Sequence, residues 1–140
     1  MLYRALATAA LSVLLTGCGM QQVQQSVDDA QAAVSVFHSD LDSENFDSIR
    51  SDASDEFRKA ASKEDFTKLF AAIHRKLGKS GESKQVGWRA NTTTSGTFIS
   101  LRMETEFERG RGTEDFVFVK KGDDLQLLSY NVTSPALIIN

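Results

Sequence analysis

Hydrophobic residues along the chain recur at two different periods, and the change between them falls near Gly81. Before it, Val27, Ala30, Val34, Phe37 and Leu41 follow one another at three- and four-residue spacing, with Asp28, Asp29, Ser35 and Ser39 on the other side. That spacing predicts an amphipathic helix, and Asp28 and Asp29 suit the positive end of its dipole. Asp42 or Ser43 is expected to cap a shorter helix carrying Phe46 and Ile49, with its frayed end at Ser51 to Ser54 and Phe57 on a following turn. Ser62-Lys63-Glu64-Asp65 resembles a capping box with Asp in the last position. It opens a helix whose stripe is Phe66, Leu69, Phe70, Ile73 and Leu77, with Gly78 as its stop.

Beyond Gly81 the apolar period drops to two, the signature of strands. Val86, Trp88 and Ala90 alternate with Gly87 and Arg89, and Ile99, Leu101, Met103, Thr105 and Phe107 alternate with Phe98, Ser100, Arg102, Glu104 and Glu106. Gly110-Arg111-Gly112 predicts a turn, Phe116 to Val119 a third strand, Lys121-Gly122-Asp123-Asp124 another turn, and Leu125 to Tyr130 a last strand. Helices first and hairpin-linked strands afterwards predict an α+β fold, N-terminal helices packed on a four-stranded antiparallel sheet. The apolar tail Pro135-Ala136-Leu137-Ile138-Ile139 is expected to fold over the sheet or onto a second copy, and Pro135 bars it from continuing as a central strand.

The amino terminus carries a different signal. Arg4 precedes a mostly apolar run from Ala5 to Leu15, the layout of a secretory signal, and the run is shorter than the roughly 20 apolar residues a spanning helix needs. Leu15-Thr16-Gly17-Cys18 follows and resembles the lipobox of bacterial lipoprotein precursors. The resemblance implies cleavage after Gly17 and lipid on Cys18, so the chain divides into a signal peptide (1–17), a lipidated cysteine with a polar tether (18–26) and one domain (27–140). One acyl chain binds a membrane only marginally, at about 0.8 kcal/mol per methylene; several, palmitate among them, would anchor firmly. Gly19 after the cysteine implies, by that family's sorting rule, the periplasmic face of the outer membrane in a Gram-negative source.

Composition narrows the picture further. Cys18 is the only cysteine, so the domain is expected to hold together by its core with no disulfide. The net charge is -3 with no basic stripe, which argues against nucleic acid as a partner. Asn91-Thr92-Thr93 and Asn131-Val132-Thr133 match the glycosylation triplet, a chance match in a bacterial envelope protein.

Phe57-Arg58, Ser62-Lys63-Glu64-Asp65-Phe66, His74-Arg75-Lys76-Leu77-Gly78, the strand Phe98 to Phe107, Glu114, and Ser129-Tyr130 occur in an order that resembles a family of small bacterial proteins with a nuclear-transport-factor-2-like (cystatin-like) fold. The resemblance covers about Val27 to Val132, with one departure at Leu125-Gln126-Leu127, where an aromatic residue is often found. It implies three helices against the concave face of a curved sheet, a cone sometimes open at its wide end, and it implies no activity.

Candidate chemistry is sparse. His38 and His74 are the only histidines; either is a candidate ligand or general base, against the plainer reading of a boundary histidine. A metal site is not expected, since no cysteine remains to join two distant histidines, and no cofactor is implied. Glu104, Glu106 and Glu108 share a strand face with Arg102; they are either acids inside a cone or a solvated face with pairs to Lys120 or Arg89. Trp88 either fills the cone or anchors a partner. The candidate pocket is therefore His74, Trp88, Glu104 and Glu106. The expected function is a non-enzymatic, membrane-anchored envelope lipoprotein acting as a protein-interaction or dimerisation module, its partner a second copy or another envelope protein. The alternative is a small-molecule binder or enzyme using the cone.

Overall fold

A computed structural model describes residues 17–139; the expected signal peptide lies outside them except for Gly17. Helix α1 runs Cys18–Asp42 and buries Val27, Ala30, Val34, Phe37, His38 and Leu41. It thus begins at the cysteine, and the stretch read from sequence as a tether is helical. Short helices α2 (Phe46–Ser51) and α3 (Asp55–Lys59) follow, and Ser54 caps α3 through its side chain to the Phe57 amide. Helix α4 (Lys63–Leu77) is capped by Ser62, whose hydroxyl accepts from the Asp65 amide, and ends at Gly78 with φ 75°.

Strands β1 (Ser80–Thr93), β2 (Gly96–Phe107), β3 (Gly110–Lys121) and β4 (Asp124–Thr133) form one antiparallel sheet in the order β1-β2-β3-β4. The alternation on β2 holds: Ile99, Leu101, Met103, Thr105 and Phe107 are buried. The β2–β3 turn falls on Glu108 and Arg109 rather than on Gly110-Arg111-Gly112. The Glu108 and Arg109 amides donate to the Lys79 and Leu77 carbonyls, so the end of α4 sets the turn. A bridge from Ala53 to Leu127 covers part of the outer edge of β4.

The helices pack on one face of the sheet, as expected of α+β, but the sheet does not curve into a cone. Its strands form an open meander with β1 and β4 at the two ends of the ladder, not a closed or wrapped surface. The space between helices and sheet is filled by Phe37, Phe70, Phe116, Phe118 and Tyr130 within one packed cluster, with rings in contact such as Phe37 on Phe116 at 5.1 Å between centroids. Leu69, placed by its spacing on the buried stripe, is 57% exposed. A smaller cluster of Ile73, Leu77, Phe107 and Ala136 seats helix α5 (Ala136–Ile139), leaving Ile138 and Ile139 exposed.

Candidate functional site

Strand β3 alternates, so the face that carries Phe116 and Phe118 into the core also carries Glu114, two positions earlier. Glu114 has no exposed surface. Its Oε2 lies 2.8 Å from His38 Nε2 and accepts from the Thr105 hydroxyl at 2.6 Å. Its Oε1 accepts from the Tyr130 hydroxyl at 2.7 Å. Thr105 in turn lies 2.7 Å from the Ser83 hydroxyl; with its own proton given to Glu114, Thr105 receives one from Ser83. Burying a carboxylate is costly unless its oxygens are hydrogen-bonded, and here the donors come from α1, β2 and β4. Burial raises the Tyr130 pKa well above the ordinary 10.0, and the neighbouring Glu114 charge and the bond to it push the same way.

His38 arrives at this point because it shares the buried stripe of α1 with Val34 and Leu41. Its ring packs against Phe107 and Phe116, with centroids 6.4 and 6.0 Å away. A carboxylate only accepts, so Nε2 carries a proton, and in the neutral imidazole Nδ1 keeps a lone pair. Among the described residues the buried side-chain atoms without a partner are Arg50 Nε and His74 Nδ1. His38 Nδ1 has no protein partner and is not one of them, so it keeps contact with the surface.

That surface is a groove of about 610 Å³ between the C-terminal half of α1 and the start of β1, lined by His38, Ser39, Asp42, Lys79, Ser80 and Ser83 among others. Asp42 closes its floor, accepting from the Ser80 amide at 2.8 Å and the Ser80 hydroxyl at 2.7 Å. A second, mostly apolar cleft of about 520 Å³ lies between α4 and β4, beside Phe66, Leu69, Phe70 and Val132.

The residues singled out from sequence are dispersed. Cys18 is exposed at the first position of α1. His74 lies in the last turn of α4, and Trp88 is 52% exposed on β1. Glu104 and Glu106 are on the uncovered face of the sheet, where Glu106 pairs with Arg111 at 2.5 Å and Arg102 pairs with Asp115 at 2.7 Å. His74, Trp88, Glu104 and Glu106 line neither the groove beside His38 nor the cleft between α4 and β4. Among the described residues no group of His, Cys, Asp and Glu is placed to hold a metal ion, and no helix is long and apolar enough to cross a membrane. From the sequence, His38 is a candidate ligand or general base left out of the candidate pocket, and Glu114, Thr105 and Tyr130 are given no chemical role. The signal was present for Glu114: the parity of β3 puts it on the same face as Phe116.

Residues 34–124 match the model of a family described as a protein of unknown function (DUF3887), and the chain belongs to that family. A solved structure described as that of Bdellovibrio bacteriovorus Bd1075 is similar in fold, with a TM-score of 0.50 at 9% identity, over 77% of this chain. The chain spans only 41% of that one. No curated protein matches. These findings, with the open sheet, correct the resemblance drawn from sequence: the family is DUF3887, and neither a cystatin-like cone nor a lipoprotein class comes with it. They also correct the expected function. The family carries no assigned interaction or dimerisation role, and aromatic side chains occupy the interior that a cone-pocket binder would need open.

Proposed function

We propose that this member of a family of unknown function recognises a small polar ligand in the surface groove where His38 emerges, outside the filled interior. The carrying observation is Glu114, a fully buried carboxylate bonded to His38, Thr105 and Tyr130. An apolar core of the same volume is commonly as stable as a buried charged network or more so. The distinctive product of the network is an imidazole held in one tautomer, with its acceptor nitrogen turned to a hydroxyl-rich groove. The test is titration of isotope-labelled protein with millimolar amines, carboxylates, phosphate and polyols, followed by NMR. Movement of the His38, Ser80 and Ser83 signals by any one class supports the reading; a panel that moves none of them refutes it.

We also propose a location: the cell envelope, with the chain held at a membrane by acyl groups on Cys18, on the periplasmic face of the outer membrane in a Gram-negative source. The support is Leu15-Thr16-Gly17-Cys18 behind an apolar run. The first buried side chain of α1 is Ser26, so about 12 Å of helix separates the sulfur from the packed body. Several acyl chains on one cysteine anchor without any protein span. Cys18→Ala should abolish acyl labelling and release the protein from membranes. A variant that stays in the membrane fraction rules the anchor out.

A further inference from the structure

The groove beside His38 offers far more hydrogen-bond acceptors than donors. Ser35 and Ser43 spend their protons on the Gln31 and Ser39 carbonyls. Ser80 gives its proton to Asp42, and Ser83 gives its own to Thr105, which passes one on to Glu114. Each of these hydroxyls therefore turns lone pairs, not a proton, toward an incoming molecule. Neutral His38 does the same, because Glu114 accepts its Nε2 proton and Nδ1 is then an acceptor. The side-chain donors left in the lining are the Lys79 ammonium and the Ser39 hydroxyl. The charges agree: the Asp42 carboxylate lines the groove and Glu114 lies behind His38, against Lys79 alone, and Lys79 is exposed at the rim.

We propose that the ligand of this groove is an amine, a small molecule whose protonated primary amino group directs its N–H bonds at His38 Nδ1 and the serine oxygens. This rests on the reading of the groove as a binding site. An ammonium carries three donors and no acceptor, the complement of this lining, and Asp42 and Glu114 favour its charge. A carboxylate or phosphate would face the lone pairs of four serines and an imidazole, with one lysine to hold it.

The test uses ethanolamine, acetate, inorganic phosphate and glycerol as probes on the labelled protein, wild type and Lys79→Gln. Lys79 is exposed and lies outside the core, so the variant leaves the fold intact. Ethanolamine should shift the His38 imidazole nitrogens and the Ser80 and Ser83 amides, and Lys79→Gln should tighten it about threefold, the effect of removing one like charge roughly 6 Å away in water-like surroundings. Shifts by acetate or phosphate that Lys79→Gln weakens would overturn the amine while leaving the groove a binding site. Glycerol acting as strongly as ethanolamine would overturn it in the same way. If no probe moves these signals, both the amine and the groove reading fall.

Discussion

His38 Nε2 and Glu114 Oε2 lie 2.8 Å apart inside the core, joining the C-terminal part of α1 to β3 across 76 positions of sequence. The contact makes the longest helix and the third strand depend on each other through one buried carboxylate. It also sets the cost of disturbing that carboxylate.

Glu114→Ala removes the acceptor for His38, Thr105 and Tyr130 at once. Breaking a buried charged network from one side costs about 3–5 kcal/mol, and urea unfolding should read that loss. Glu114→Gln should lose less, because its carbonyl oxygen still accepts. An alanine variant within about 1 kcal/mol of wild type, the worth of a single ordinary hydrogen bond, would refute the view that this network ties α1 to the sheet.

Tyr130 makes stability fall in alkali. Its folded pKa is raised above the ordinary 10.0, so folding favours the protonated phenol. That contribution is complete below pH 10.0 and is lost as pH rises from there through the folded pKa. Phenolate absorbance should therefore appear together with loss of helical circular dichroism. In Tyr130→Phe the alkaline dependence should flatten. A Tyr130 that ionises near its ordinary pH in the intact fold would contradict the burial of its hydroxyl against Glu114.

Gly78 ends α4 at φ 75°, where a Cβ would meet Glu108 Oε2 at 2.5 Å and its Cβ at 2.7 Å. Both the left-handed backbone and the close approach penalise a side chain. Gly78→Ala should cost about 1 kcal/mol or more and lower the melting temperature, whereas Gly122→Ala, with open space around it, should feel the backbone term alone. Equal effects at the two sites would show that Glu108 gives way freely.

Lys120 reaches Asp29 at 2.8 Å and bridges β3 to α1, and its hydrogen bond is the main cause of the lowered Asp29 pKa. A carboxylate with a lowered folded pKa stabilises above its unfolded value and loses that contribution as pH falls through the folded one. The pair is partly exposed, so Asp29→Asn should cost under about 1 kcal/mol, and only near neutral pH. A larger loss, or one that persists in acid once the carboxylate is protonated, would mean the side chain does more than pair with Lys120.

Much of the secondary structure could be read in the residues. The parity of β2 identified its buried side chains from Ile99 to Phe107, because a strand must turn alternate residues to the core. Ser62 and Gly78 marked the ends of α4, because capping is local chemistry. Leu69 shows where such reading stops: its spacing matches the stripe, yet α4 meets the sheet along Phe66, Phe70, Ile73 and Leu77 and leaves Leu69 at the mouth of the apolar cleft. The β2–β3 turn was drawn to two glycines, whereas hydrogen bonds from the end of α4 hold it at Glu108 and Arg109.

Local period and caps were enough to determine the core-facing part of α1, α4 and four antiparallel strands, since each depends on neighbours within a few positions. Only the tertiary structure decided that the sheet stays open over an aromatic interior and that His38, Ser83, Thr105, Glu114 and Tyr130 meet. These residues lie one each on α1, β1, β2, β3 and β4, and a hydrogen bond between distant segments leaves no periodic trace. A buried carboxylate needs donors that only folding can bring to it, which is why the site became visible in space and not in the order of residues.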